Sequence, residues 1–256
     1  MKKIIIFSIL SAIFLVSCKT PDYKLLTTAK SVFETGKKLY KEKDYLEAQS
    51  LFEKIKLQFP ASIYSDSSQY YLGEIYFSRK EYILAAYSYS LLERNYPASL
   101  LRKDARYKNA LCYYKLSPDF DRDQEYTKKA IDLFNNFKEL HPGDSLFFDA
   151  QKKVSELTKK LAQKDFATAE LYAKIEEPKA AIIYYNSIIE NYVDSEYFEQ
   201  AFTGKIKSQI LMESFEKARS TIDLYKKRFP ENANRSDIKE FERLIATGIN
   251  PPQQSK

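Results

Sequence analysis

The sequence has few of the residues on which compact catalytic sites are usually built. Its 256 residues include 5 glycines, 2 cysteines, 1 histidine and no tryptophan. So few glycines argue against glycine-rich phosphate loops and against a chain of tight turns or barrel corners. A single histidine with two cysteines forms no metal-binding cluster, and sugar-binding sites normally use tryptophan for stacking. The residues therefore favour a protein that works through its surfaces.

The start of the chain has the organisation of a targeting segment. Lys2 and Lys3 precede an apolar run at residues 4–16, which is too short to span a bilayer comfortably. The run ends in Leu15-Val16-Ser17-Cys18, which resembles the lipobox of bacterial lipoproteins. The resemblance implies cleavage before Cys18, lipidation of its thiol and acylation of the new amino terminus. The alternative is an uncleaved helical anchor.

The residue after the lipobox bears on location. The inner-membrane retention signal common in bacterial lipoproteins is an aspartate directly after the lipidated cysteine, whereas this chain has Lys19. We therefore expect a lipid-anchored protein at the periplasmic face of the outer membrane. The covalent lipid on Cys18 is the only non-protein group expected, and we expect no cofactor and no metal.

Charge bears on the possible partners, and the second cysteine bears on the possible chemistry. The formal net charge is +6, with no block of Lys and Arg, so we expect no nucleic-acid partner. Once Cys18 is lipidated, Cys112 is the only thiol left, and one thiol forms no internal disulfide. Its apolar and aromatic neighbours predict a buried structural cysteine rather than a nucleophile.

A repeated pattern predicts the fold. Five times an alanine is followed twelve residues later by the end of an apolar helical run, and four of these ends are proline: Ala48/Pro60, Ala85/Pro97, Ala130/Pro142, Ala181/Val193 and Ala218/Pro230. Self-similarity at intervals of about 35 to 50 residues indicates a helical-repeat array. The small residues and the closing proline resemble the tetratricopeptide repeat. We expect an all-α solenoid of about five helix pairs plus a C-terminal capping helix.

The same pattern gives the domain organisation. We expect a signal peptide at 1–17, a lipidated tether at 18–28, and repeats one to three at 29–143. Residues 144–248 are expected to hold a long connecting helix, repeats four and five and the cap, followed by a polar tail at 249–256. The loop at Ser117 to Asp123 makes the third repeat eight residues longer than the standard repeat.

That third repeat carries the most specific resemblance. Cys112-Tyr113-Tyr114, then Ser117-Pro118 and the run from Asp119 to Thr127, resemble the enlarged loop of the BamD family of outer-membrane assembly lipoproteins. The resemblance implies a subunit of the complex that folds β-barrel proteins into the outer membrane. It also implies two partners, the periplasmic domains of the barrel subunit and unfolded outer-membrane proteins. The chain departs from the family at Tyr192-Val193, where the family often has proline.

An aromatic row is the candidate substrate surface. Helix positions that face the inner wall of a tetratricopeptide array hold aromatic pairs seven residues apart in the first three repeats: Phe33 and Tyr40, Tyr70 and Phe77, Tyr107 and Tyr114. We expect these six residues, the aromatic row, to bind segments of barrel proteins, whose strands carry aromatic girdles. The alternative is that the rings pack between helices.

A basic region near the C-terminus is the candidate partner surface. The fifth repeat contains Lys205, Lys207 and Arg219, which would offer charge complementary to the barrel subunit. The alternative for each of these residues is a solvated helix face.

No segment interrupts the repeats to form a catalytic domain, so we expect no enzyme. A lytic transglycosylase that uses carboxylates alone is the enzymatic alternative. The alternative binding function is that of another periplasmic tetratricopeptide lipoprotein, which would scaffold Tol or peptidoglycan-linked partners of the cell envelope. Such proteins usually carry an N-terminal coiled coil, and none is visible before the first repeat.

Overall fold

The computed structural model of the chain describes residues 26–248, and this part of the chain is all-α. It contains eleven α-helices, a short 3₁₀-helix at Pro230–Asn232 and no strand. The α-helices are α1 Ala29–Lys41, α2 Tyr45–Gln58, α3 Ser65–Ser78, α4 Tyr82–Asn95, α5 Arg102–Leu116, α6 Glu125–Leu140, α7 Phe147–Lys174, α8 Pro178–Asn191, α9 Phe198–Leu211, α10 Phe215–Arg228 and α11 Ser236–Thr247. The predicted fold, tetratricopeptide-like helix pairs followed by a capping helix, is confirmed.

The chain divides into two compact units within α3. The first unit ends at Tyr71 and the second begins at Leu72. The first contains α1, α2 and the start of α3, and the second contains the rest of α3 and all later helices. The division between residues 143 and 144 that the repeat pattern predicts stays a prediction.

The turns inside the helix pairs use residues other than glycine in the left-handed conformation. Four of them place a charged residue in the left-handed region: Lys43, Lys80, Glu176 and Glu213. Each turn is closed by the same pair of backbone hydrogen bonds, such as Asp44 N–H to the Leu39 carbonyl and Lys43 N–H to the Tyr40 carbonyl. This is the Schellman arrangement, which usually ends in glycine. Tight turns are therefore present, and each accepts a left-handed residue at a cost of about 1 kcal/mol.

The helix pairs are held together by a small residue that lies against a buried aromatic ring. A Cβ built on Gly36 would lie 3.0 Å from the Phe52 ring, and one on Gly73 would lie 2.5 Å from Tyr89 Cε1. Phe52 and Tyr89 are fully buried. The third and fourth pairs repeat the arrangement with alanine, because Ala110 shares a core cluster with Phe134, and Ala169 shares one with Tyr185. The small residue therefore allows the two helix backbones of each pair to approach closely.

Where the buried ring is a tyrosine, its hydroxyl has a dedicated acceptor. Tyr89 donates to Glu74 at 2.6 Å, and Tyr185 donates to Glu170 at 2.5 Å. Each glutamate directly follows the small residue of its pair. Where the ring is Phe52 or Phe134, no glutamate occupies that position. Since a buried hydroxyl without a partner would be costly, the ring and its acceptor occur together.

The enlarged loop of the third repeat is fixed by buried polar side chains. Gln124 donates from its Nε2 to the carbonyls of Asp119 at 2.7 Å and Arg122 at 3.1 Å, and it accepts from Thr127 at 2.6 Å. The Ser117 hydroxyl lies 2.7 Å from that of Thr127. Ser117, Gln124 and Thr127 are the residues of the family-like motif, and the structure shows that they hold the loop.

Helix α7 supports this loop from a second side. It is one continuous helix of 28 residues. Lys160 donates to the Ser117 hydroxyl at 2.8 Å and to the Pro118 carbonyl at 2.9 Å, and Lys164 donates to the Arg122 carbonyl at 2.5 Å. The long helix and the long loop are therefore parts of one structure.

The C-terminal cap is fastened through one carboxylate. Glu199 Oε1 on α9 accepts hydrogen bonds from Tyr225 at 2.7 Å, Asn232 at 2.8 Å and Arg235 at 2.7 Å. Ile238 and Leu244 of α11 are buried in the same apolar cluster as α9 and α10. The cap thus covers the end of the last helix pair.

We predict that Gly73→Ala destabilises the protein by about 1 to 2 kcal/mol. The new methyl group would overlap the buried Tyr89 ring, which typically costs about 1 to 3 kcal/mol, and the better helix propensity of alanine offsets up to about 1 kcal/mol of this. Urea unfolding followed by circular dichroism measures the effect. The matched control is Gly143→Ala, since a Cβ there would meet nothing within 4 Å. Equal midpoints for the two variants would contradict the packing argument.

Candidate functional site

In the first unit, the aromatic row is partly inside the protein. Phe33 is 6% exposed, and its ring lies 4.9 Å from Tyr64, stacked, and 5.9 Å from both Phe52 and Tyr71. Tyr40 is half-buried, with its ring edge-on to Tyr71 at 5.2 Å. Tyr70 is also half-buried. Phe33 therefore packs between helices, while Tyr40 and Tyr70 retain exposed area.

In the second unit, the row is divided in the same way. Tyr107 is 7% exposed, its ring contacts Phe134 at 5.7 Å and Phe137 at 5.4 Å, and its hydroxyl donates to Asp149 on α7. Burial, followed by this hydrogen bond, raises the pKa of Tyr107. Phe77 and Tyr114 are half-buried. For Tyr107 the structure favours the packing alternative, as it does for Phe33.

Lysines accompany the two partly exposed rings of the second unit. Lys108 Nζ lies 5.2 Å from the centre of the Phe77 ring, and Lys153 Nζ lies 5.0 Å from the centre of the Tyr114 ring. The Tyr114 hydroxyl donates to Glu156 at 2.7 Å, and this hydrogen bond raises its pKa. Both lysines already have carboxylate partners, Lys108 with Glu74 at 3.0 Å and Lys153 with Asp149 at 3.1 Å. The exposed ring edges therefore offer mainly apolar and aromatic contact.

Tyr71 is an aromatic residue that the repeat pattern missed. Its ring stacks on Phe52 at 5.0 Å with an interplanar angle of 9° and also contacts Phe33 and Tyr40. Tyr71 follows Tyr70 directly, and this pair of adjacent tyrosines is the one sequence feature that could have indicated its role. The cluster shows that the first repeat's row residues pack on a residue next to the row.

The three basic residues of the fifth repeat differ in exposure. Lys207 and Arg219 are exposed, and neither forms an ion pair with any residue between 26 and 248. Lys205 is half-buried, and this burial lowers its pKa, with the nearby Glu190 acting in the opposite direction. Lys207 and Arg219 are thus available for contact at the surface, whereas the Lys205 side chain is partly buried.

Ionisable side chains of the described residues bear on metal binding and line a cavity. Among the described residues, no group of three or more His, Cys, Asp or Glu side chains could hold a metal ion. His141 borders a cavity of about 270 Å³ with Arg102, Lys103 and Arg106. Two of these cations are already paired, Lys103 with Asp144 at 2.7 Å and Arg106 with Glu93 at 2.8 Å. Two of the cations that line the cavity therefore form ion pairs with other parts of the fold.

Three expected segments lie wholly or mostly outside the described residues. These are the signal peptide with Cys18 and most of the tether at the start, and the polar tail at the end. Within residues 26–248, no helix has the length and apolar character needed to cross a membrane.

Comparison with known proteins gives a consistent set of relatives. The YfiO family, described as outer membrane lipoproteins, matches residues 27–224. An outer membrane protein assembly factor BamD from Caulobacter vibrioides is 23% identical over 220 residues, which cover 86% of this chain and 72% of the relative. The BamD of Rickettsia prowazekii is 25% identical over 128 residues, 50% of this chain and 51% of the relative.

Among solved structures, this chain is similar to the TPR2AB domain of yeast Sti1 in a complex with pHSP90. The match covers 86% of this chain and 98% of the Sti1 chain. Its TM-score is 0.41 and its sequence identity is 15%.

We predict that Cys112 resists alkylation in the folded protein. The thiol is fully buried, and burial raises its pKa to about 12. Because the thiolate is the reactive species, labelling by iodoacetamide near neutral pH should be at least about 100-fold slower than for an exposed cysteine. The rate is measured by mass spectrometry, with Ser50→Cys as the exposed internal control. Comparable native rates at both positions would exclude a buried structural thiol.

Proposed function

This chain belongs to the YfiO family of outer membrane lipoproteins, and from that premise we propose that it is a non-enzymatic subunit of the β-barrel assembly machinery. In this role it binds the periplasmic domains of the barrel subunit and incoming outer-membrane proteins through its repeat surfaces. The family match over residues 27–224, with two relatives named as outer membrane protein assembly factors, carries the proposal.

The proposed location follows from the lipobox-like segment. Cys18 carries the lipid, and the helix pairs lie in the periplasm. The first helix begins at Ala29, eleven residues after Cys18, so the folded part starts close to the anchor.

The proposed substrate contacts are the row residues that keep exposed area. They form two separate sets, Tyr40 and Tyr70 in the first unit and Phe77 and Tyr114 in the second. Barrel strands alternate apolar and polar residues and carry aromatic girdles. Their apolar side chains fit exposed ring edges. Buried Phe33 and Tyr107 support this surface from below and do not contact the substrate.

The proposed docking surface for the barrel subunit is on α9 and α10. Lys207 and Arg219 are exposed there, and their charges would steer an acidic partner. Lys205 acts mainly within the fold, because it is half-buried.

We predict that a photoreactive residue at Tyr40, Phe77 or Tyr114 crosslinks to a peptide from the C-terminal strand of an outer-membrane barrel. These side chains combine apolar area with exposure, and crosslinked products are identified by mass spectrometry. The buried Tyr107 position is the negative control, and half-buried Tyr184 in the fourth repeat is the control for general stickiness. Labelling at Tyr184 without labelling at the row would reject the substrate surface.

We predict that Lys207→Glu with Arg219→Glu weakens co-purification with the barrel subunit by about tenfold, because the two substitutions reverse charge at an exposed site. The experiment is affinity purification from solubilised envelopes with quantitative mass spectrometry. Lys128→Glu with Lys129→Glu on α6 makes the same change of charge at another exposed place. Recovery of Tol or peptidoglycan-linked proteins in place of the barrel subunit would favour the alternative function.

A further inference from the structure

Helix α1 has a basic face that the proposed function does not use. Lys30, Glu34, Lys37, Lys38 and Lys41 follow the spacing that places residues on one side of a helix. The opposite side is the packed one, with Val32, Phe33, Gly36 and Leu39 buried. The outer face thus carries four lysines and one glutamate.

Most of this charge is unneutralised. Lys30, Lys38 and Lys41 are exposed, and none of them pairs with an acidic group between residues 26 and 248. Lys37 is the exception, since it lies 3.6 Å from Glu34 and over the Phe33 ring at 5.3 Å. Three free ammonium groups therefore lie along a helix of 13 residues.

The position of α1 relative to Cys18 is constrained by the chain. Lys54 on α2 donates to the Leu26 carbonyl at 3.0 Å, which fixes the point where the chain enters the fold. The Thr28 side chain then caps α1 by accepting from Ser31 N–H. Leu26 is eight positions after Cys18, and even a fully extended chain spans only about 29 Å over eight such steps. A lipid on Cys18 would keep α1 near the membrane surface.

We propose that the basic face of α1 lies against the anionic phospholipid headgroups of the membrane that holds Cys18. This inference rests on the lipid anchor of the proposed function. An acyl anchor holds the chain at the membrane but leaves its orientation free, whereas a row of ammonium groups on a rigid helix selects one side. Each lysine near an anionic surface shifts the contact equilibrium by about fivefold. The contact orients the first helix.

Other exposed lysines are not held close to Cys18 by a short stretch of chain. Lys128, Lys129 and Lys159 are exposed and free of ion pairs within residues 26–248, but they follow Cys18 by more than a hundred residues. They provide matched controls of the same chemistry in the same molecule.

The test is lysine footprinting of the purified lipoprotein on vesicles. The protein is reconstituted on phosphatidylcholine vesicles with or without phosphatidylglycerol, and amine acylation at each lysine is measured by mass spectrometry. We expect Lys30, Lys38 and Lys41 to be labelled about fivefold more slowly on the anionic vesicles at low salt, with the protection lost at high salt. Lys128, Lys129 and Lys159 should show no change.

A charge-reversed pair makes the test sharper. Lys38→Glu with Lys41→Glu should remove the protection of Lys30, while Lys128→Glu with Lys129→Glu should leave it intact. Equal labelling of Lys30 on neutral and anionic vesicles, or equal protection of the α6 lysines, would overturn the inference.

The same experiment separates this inference from the anchor. Flotation with neutral vesicles and the intact mass of the protein report the lipid on Cys18. A protein that floats with neutral vesicles but shows no anionic protection refutes only the contact of α1. If the α1 lysines are protected by the barrel subunit and not by vesicles, the face binds protein and the lipid proposal is wrong.

Discussion

The contact between a small residue on one helix and a buried ring on its partner is the constraint on which this structure depends. Gly36 and Phe52 show it in the first pair, and Gly73 and Tyr89 show it in the second. The rings fill the space that the absent side chains leave, so the two helices pack closely at this contact. In the fifth pair, the equivalent positions are occupied by two isoleucines, Ile206 and Ile222, which are buried in the same apolar cluster.

This constraint places a tyrosine in the core of two helix pairs. A tyrosine in the ring position brings a hydroxyl into the core, and Glu74 or Glu170 accepts its hydrogen bond. Other aromatic residues, such as Tyr40 and Tyr114, lie at the edge of the same packing and keep part of their area exposed. One residue type therefore supplies both the core of the helix pairs and the surface proposed for substrates.

Regular spacing made the helices predictable, because the interval from alanine to proline reflects the length of a helix that packs on its neighbour. The turns were less predictable. Scarce glycine argued against tight turns, yet Lys80 and Glu176 adopt the left-handed conformation, and paired backbone hydrogen bonds compensate. The residues of the aromatic row lie on α1, α3 and α5, but periodicity does not report exposure. Phe33 is covered by Tyr64 and Tyr71, and Tyr107 is held by Asp149 on α7, whose approach no local pattern encodes.

The enlarged third loop has a consequence for recognition. Gln124, Lys160 and Lys164 hold its backbone carbonyls, so the loop is ordered before any other molecule arrives. Asp119, Asp121 and Asp123 are exposed on it. A segment that is already fixed loses little conformational entropy on binding, whereas a free loop of this length would lose about 1 kcal/mol or more for each residue it orders. The loop thus displays its carboxylates as a preorganised feature, and the long helix behind it is the reason.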